Sequence, residues 1–154
     1  MKRVLRLSWL LVSLLWPVGS LADCPSLPWD SSYQDAAAQD DRLQPFETGQ
    51  PDEVALVLSY RDGNLVGECV YTFDHDGLFS IALVPAVQAE KNCTALIDWA
   101  KRHWGEPASV GPLGPLTVML FDQGGSDDEL SLFTGGPDSD KTFCIANRNN
   151  PHRQ

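Results

Sequence analysis

The chain has 154 residues, 21 of them acidic and 11 basic, for a formal net charge of −10. That length suits one domain with its own core. Such charge repels nucleic acid and anionic lipid, which excludes both as expected partners, and it attracts a cationic protein with a strength that falls in salt.

The chain opens "MKRVLRLSWLLVSLLWPVGSLADC". Lys2, Arg3 and Arg6 precede a short apolar run, Leu7 to Trp16, which Pro17 and Gly19 break. Ser20-Leu21-Ala22 supplies small residues of the kind signal peptidase cuts after. The run is shorter than the ~20 apolar residues that span a bilayer. Cleavage after Ala22 is therefore expected, with export to a periplasm or the exterior and no membrane insertion afterwards. Asp23 stands before Cys24, where lipidation needs a small residue. The exported part, 23–154, keeps all 21 acids against 8 bases, a net charge of −13.

Residues 23–52 are rich in Asp, Gln, Ser and Pro and read as an extended N-terminal arm, with a short helical turn near Tyr33–Asp40. A single α+β domain is expected over 53–148. Val54–Tyr60 is a β-rich run, and the Asp62-Gly63 turn leads into Leu65–Phe73, whose residues alternate in polarity. Leu78–Val84 is a third strand, ended by Pro85. Cys93, Leu96, Ile97, Ala100 and Trp104 sit at helical spacing, which predicts an amphipathic helix over Gln88–Trp104 with Trp99 at the rim of the core. Asp98 and Arg102 form an i,i+4 pair on its wet side. Gly105 and Pro107 stop the helix. "GPLGPLT", 111–117, reads as a stiff connector; Leu116–Phe121, Leu130–Phe133 and Thr142–Ala146 read as three more strands, before a polar tail from 149. The fold class is then an antiparallel sheet of order β-β-β-α-β-β-β with one amphipathic helix packed on it.

Cys24, Cys69, Cys93 and Cys144 make an even number without any CxxC, which in an exported chain predicts two disulfides. Three pairings are possible. A core-facing Cys93 suits a helix-to-strand bridge with Cys69 or Cys144; the sequence leans to Cys69–Cys93 and Cys24–Cys144.

"YTFDHDGLFSIAL" holds the densest chemistry, Asp74-His75-Asp76-Gly77. Placing Gly77 at the sixth position of a calcium loop puts Thr72 and Leu83 at its two end ligands, so neither can bind. Zinc needs three or four convergent ligands, and the other histidines, His103 and His152, lie far along the chain. The tetrapeptide reads instead as a tight turn, since Asp and Gly tolerate turn geometry. No metal or cofactor is expected. No G-x-S-x-G elbow or phosphate loop appears, so no catalytic residue is assigned and an enzyme is not expected. Asn92-Cys93-Thr94 matches the glycosylation pattern by chance. Acid gathers at Asp127, Asp128 and Glu129 and at Asp138 and Asp140; these, with His75 at its hairpin tip, are the candidate partner-binding residues. The reading that follows is a small exported acidic binding protein, an inhibitor or immunity protein of a basic envelope-active enzyme. The alternatives are an envelope-maintenance or structural accessory protein, and a hydrolase with an unrecognised site. The sequence carries no signal for an oligomeric state.

Overall fold

The computed structural model describes residues 24–123, 128–135 and 142–153. Its elements in chain order are α1 (Tyr33–Gln39), β1 (Gln44–Phe46), β2 (Val54–Asp62), β3 (Leu65–Asp74), β4 (Gly77–Pro85), α2 (Glu90–Trp104), β5 (Ser109–Leu113), β6 (Leu116–Asp122), β7 (Glu129–Gly135), β8 (Cys144–Asn149) and a 3-10 turn, Pro151–Arg153. The fold is broadly α+β. All eight strands form one antiparallel sheet of order β1-β2-β3-β4-β8-β7-β6-β5. Two four-stranded meanders thus meet where β4 pairs with β8.

The expected six strands and one helix are corrected to eight strands and two α-helices among the described residues. The stiff connector is the hairpin β5–β6, closed by Gly114-Pro115 with Gly114 at φ 59°. A positive φ followed by a proline ring suits a two-residue hairpin turn. Pro112 and Gly111 hide this strand from a propensity reading, yet both are tolerated at the edge of a sheet. β1 is three residues long, too short to show a period.

Burial alternates along β3, whose Leu65, Cys69, Tyr71 and Phe73 point into the core. Both helices lie on that face. α2 buries Cys93, Leu96, Trp99, Ala100 and Trp104 and lies across the middle of the sheet, against β8, β3 and β7. Trp99 belongs to the core, not to its rim, at 2% exposure. Its indole N–H donates to the Tyr60 hydroxyl at 3.0 Å, and the rings meet edge to face. A tryptophan can be deeply buried when its N–H finds such an acceptor. Ile97, placed on the stripe by spacing, is only half-buried. Arg102 reaches Asp62 at 3.3 Å across to β2, and no Asp98–Arg102 ion pair forms.

The segment before β2 is packed onto this core. Ser32 caps α1 by accepting from the Asp35 N–H at 3.1 Å, and Ala36 is fully buried. Tyr33 meets Phe73 edge to face. The Tyr71 hydroxyl donates to the Pro25 carbonyl at 2.8 Å, and burial pushes its pKa up.

The disulfides are Cys24–Cys69 and Cys93–Cys144, which corrects the pairing favoured from the sequence. The sheet order explains the difference. β8 and β3 both lie beneath α2, and Gln88 fixes the alignment of the helix with β8: its side chain accepts from the Cys144 N–H at 2.8 Å and donates to the Cys144 carbonyl at 3.2 Å. Cys93, one helical turn further, then faces Cys144. Each bridge stabilises by about 2–4 kcal/mol, largely through the unfolded chain.

Gly77 meets two demands at once. Its φ is 108°, and a Cβ there would stand 2.6 Å from the Asp30 carbonyl oxygen. Gly63 has φ 56° and open space around it. Gly63→Ala should therefore cost only the left-handed strain, about 1–2 kcal/mol. Gly77→Ala adds a backbone clash and should cost about 3 kcal/mol or more. Urea unfolding of both variants checks this; equal losses would remove the close approach as a constraint.

Candidate functional site

The Asp74-His75-Asp76-Gly77 turn closes the β3–β4 hairpin, with Asp74 paired to Gly77. Asp74 Oδ1 accepts from the Asp76 N–H at 2.9 Å, a local turn bond. Two other segments of the chain converge here. Leu78 N–H donates to the Ser31 carbonyl at 2.9 Å, so the segment before α1 lies along the start of β4. Arg153 donates to Asp74 Oδ1 at 2.6 Å and approaches Asp30 at 3.5 Å. Asn150, 2% exposed, donates to Asp30 Oδ1 at 2.8 Å, and its own N–H bonds the Phe79 carbonyl at 2.8 Å. The turn is where the segment preceding the sheet and the one following it are fastened.

A bulge in β4 shapes the surface beside it. Thr72 pairs with Ser80 and Phe73 with Leu78, so Phe79 is the extra residue. Alternation would send Phe79 into the core; the bulge buries Leu78 and leaves Phe79 half-buried between two adjoining open depressions. Asp52, Glu53, Asp74 and His75 line one, and Asp74, Asn149, Asn150 and Arg153 the other. No sequence signal marks a bulge, so Phe79, Asp52 and Glu53 escape a motif search.

Ligand atoms of Asp74, His75 and Asp76 lie within 4.8 Å of one another. Asp74, however, already holds the Arg153 guanidinium, which keeps its carboxyl below the ordinary range. His75 Nε2 sits 3.1 Å from Asp76 Oδ2, and both side chains are exposed. A cation would have to displace Arg153 and order two solvated side chains. These groups fit an ion-paired turn better than a metal centre.

Of the acidic candidates, Asp127, Asp138 and Asp140 lie outside the described residues. Glu129 is exposed at the start of β7. Asp128 accepts two hydrogen bonds from Arg148, whose guanidinium lies between the rings of Trp29 and Trp104 at 5.8 and 5.4 Å. The Arg148 side chain is only 17% exposed, so Asp128 balances a largely dehydrated cation. The three consecutive acids in the sequence conceal this separate duty.

A second carboxylate–imidazole pair joins β2 to α2. His103 Nε2 and Asp62 Oδ2 are 3.0 Å apart. That bond, helped by Arg102, holds the Asp62 carboxyl below its usual range. A base of this kind needs a nucleophile within reach. All four cysteines are in disulfides, so none offers a free thiol to this base. The pair tethers the helix to the sheet.

Asp128→Ala should cost about 1–3 kcal/mol by stranding Arg148, with altered tryptophan fluorescence, in urea unfolding. An unchanged midpoint would detach Asp128 from that role. Asp62 and Asp74 both have depressed folded pKa values, so their stabilisation is complete above the unfolded carboxylate range and is lost as pH falls through it. The double variant Asp62→Asn, Asp74→Asn should unfold with a shallower dependence on pH below about 4; parallel profiles would contradict the assignment. No protein-family model matches the chain, and no curated protein or solved structure matches it.

Proposed function

We propose that the chain is a small exported acidic binding protein that recognises a cationic protein, in the manner of an inhibitor or immunity protein of a basic envelope-active enzyme. The observation that carries the reading is how the few cations are used. Of the eight basic residues in 23–154, Arg42, Lys101, Arg102, Arg148 and Arg153 are each bonded to an acid of the same chain. Their positive charge is cancelled locally, so the outward field is acidic. Such a field speeds the encounter with a basic surface and sets its salt dependence. Two disulfides support export, and no described helix is long and apolar enough to cross a membrane.

The contact site we favour is the depression beside the β3–β4 turn. There Phe79 offers an aromatic face, and Asp52, Glu53 and His75 stand around it. A lysine or arginine of the partner would meet ring and carboxylate together.

Immobilised protein should retain a basic envelope protein at low salt and release it at high salt. The absence of any basic protein in the low-salt fraction would defeat the reading. With the partner in hand, Asp52→Asn and Glu53→Gln should slow association about tenfold with little effect on dissociation. Asp127→Asn with Glu129→Gln tests the β6–β7 loop in the same way.

A further inference from the structure

The two depressions beside the β3–β4 turn share Asp74 and Phe79. The first adds Asp52, Glu53 and His75; the second adds Asn149, Asn150 and Arg153. In the second, the chain has already placed a cation of its own. Arg153 Nη1 donates to Asp74 Oδ1 at 2.6 Å, and Nη2 stands 3.5 Å from Asp30 Oδ1. The attachment is incomplete. Nη2 is buried without a hydrogen-bond acceptor, so Arg153 makes one bond to Asp74 where a guanidinium and a carboxylate can make two. The turn that carries Arg153 is tied down at Asn150, which is 2% exposed and bonded to the Phe79 carbonyl and to Asp30. Past that point its hydrogen bonds stay within the turn: His152 N–H donates to Asn150 Oδ1 at 2.9 Å, and Arg153 N–H to the Asn150 carbonyl at 3.2 Å. Among the described residues, only the Arg153 side chain then makes a polar contact from this turn back to the sheet.

We infer that Arg153 is an internal competitor for the cation this site takes: it holds Asp74 in the free protein, and an arginine of the partner binds by displacing it. The inference rests on the reading of the first depression as the contact site. Asp74 is the carboxylate common to both depressions, and while Arg153 holds it, its charge is cancelled for a ligand in the first. Once released, it joins Asp52 and Glu53 around Phe79. Release breaks one partly exposed ion pair and leaves Asn150 bonded, so the sheet keeps its pairing. The internal occupant also indicates the ligand. Asp74 is already met by a guanidinium, whose planar fork can give a carboxylate two parallel bonds and lie on an aromatic ring, as a lysine ammonium cannot. A competitor of this kind lowers apparent affinity by the fraction of time the site is open, and so rejects weakly cationic partners.

An acetylated tetra-arginine amide, titrated into the disulfide-intact protein at low salt, tests this without the partner. Calorimetry reads affinity, and backbone amide NMR shifts read location. The unaltered chain should bind weakly, with shifts at Asp52, Glu53 and Phe79. Arg153→Gln should bind about tenfold tighter at the same residues, with near-ultraviolet circular dichroism unchanged. Arg153→Lys, which keeps the charge without the planar fork, should fall between the two. Lys101→Gln removes the same charge outside both depressions and should give no such gain. Asp74→Asn added to Arg153→Gln should abolish the gain. Equal affinity of Arg153→Gln and Lys101→Gln, with shifts still at Asp52, Glu53 and Phe79, would overturn the inference and leave the contact site standing. Shifts elsewhere, or none, in every variant would remove the contact site and the inference with it.

Discussion

The pairing of β8 with β4 decides the architecture. Without it the chain would be two four-stranded meanders, each with a long free edge. With it, Ser80 to Leu83 lie against Asn149 to Ala146 and the sheet becomes continuous. α2 then has a broad floor on which to bury Trp99 and Trp104, and Cys144 comes beneath Cys93. Ser80 and Asn147 reinforce the seam with a side-chain hydrogen bond of 2.7 Å. The bond between the Asn150 N–H and the Phe79 carbonyl continues the pairing past β8, and Arg153 reaches Asp74 only because β8 delivers it there.

Strands that are wet on one side could be read directly, because a period of two survives in sequence. Leu65 to Phe73 alternates in sequence and in burial alike. Strands whose residues violate propensity could not: Pro112 and Gly111 disguise β5, which as an edge can tolerate them. Trp99 was misplaced because a helical wheel counts spacing and cannot know that Tyr60 waits across the interface with an acceptor. The cysteine pairing depended on which of the strands beneath α2 brings its cysteine opposite Cys93, a long-range property that no local pattern encodes. The turn at Asp74–Gly77 was legible as a turn. Its use as a meeting point was not, since Asp30, Asn150 and Arg153 are distant along the chain.

The same distinction applies to charge. Composition gives the excess of acid but not its distribution. Asp127-Asp128-Glu129 looks like one patch, whereas Asp128 is occupied with Arg148 between two indoles. Asp74 and Asp62 likewise belong to pairs that hold elements together. Acids engaged in this way contribute less to an outward field than a residue count suggests. Asp52, Glu53 and the exposed carboxylates of the loops carry more of it. The helices and disulfides occupy one side of the sheet, and the depression lined by Asp52, Glu53 and Asp74 lies at its end.

The order in which the strands occur along the chain has a kinetic consequence. β8 is the last strand in sequence but lies fourth from one edge and fifth from the other. Until it is available, neither meander has its neighbour, Cys93 has no thiol to join, and Arg148 is absent from between its tryptophans. Folding is therefore governed by contacts of high sequence separation, which form slowly. The seam between the two meanders, with the disulfide and the Arg148 contacts that depend on it, is therefore the part of the sheet that cannot form until the last strand has been made.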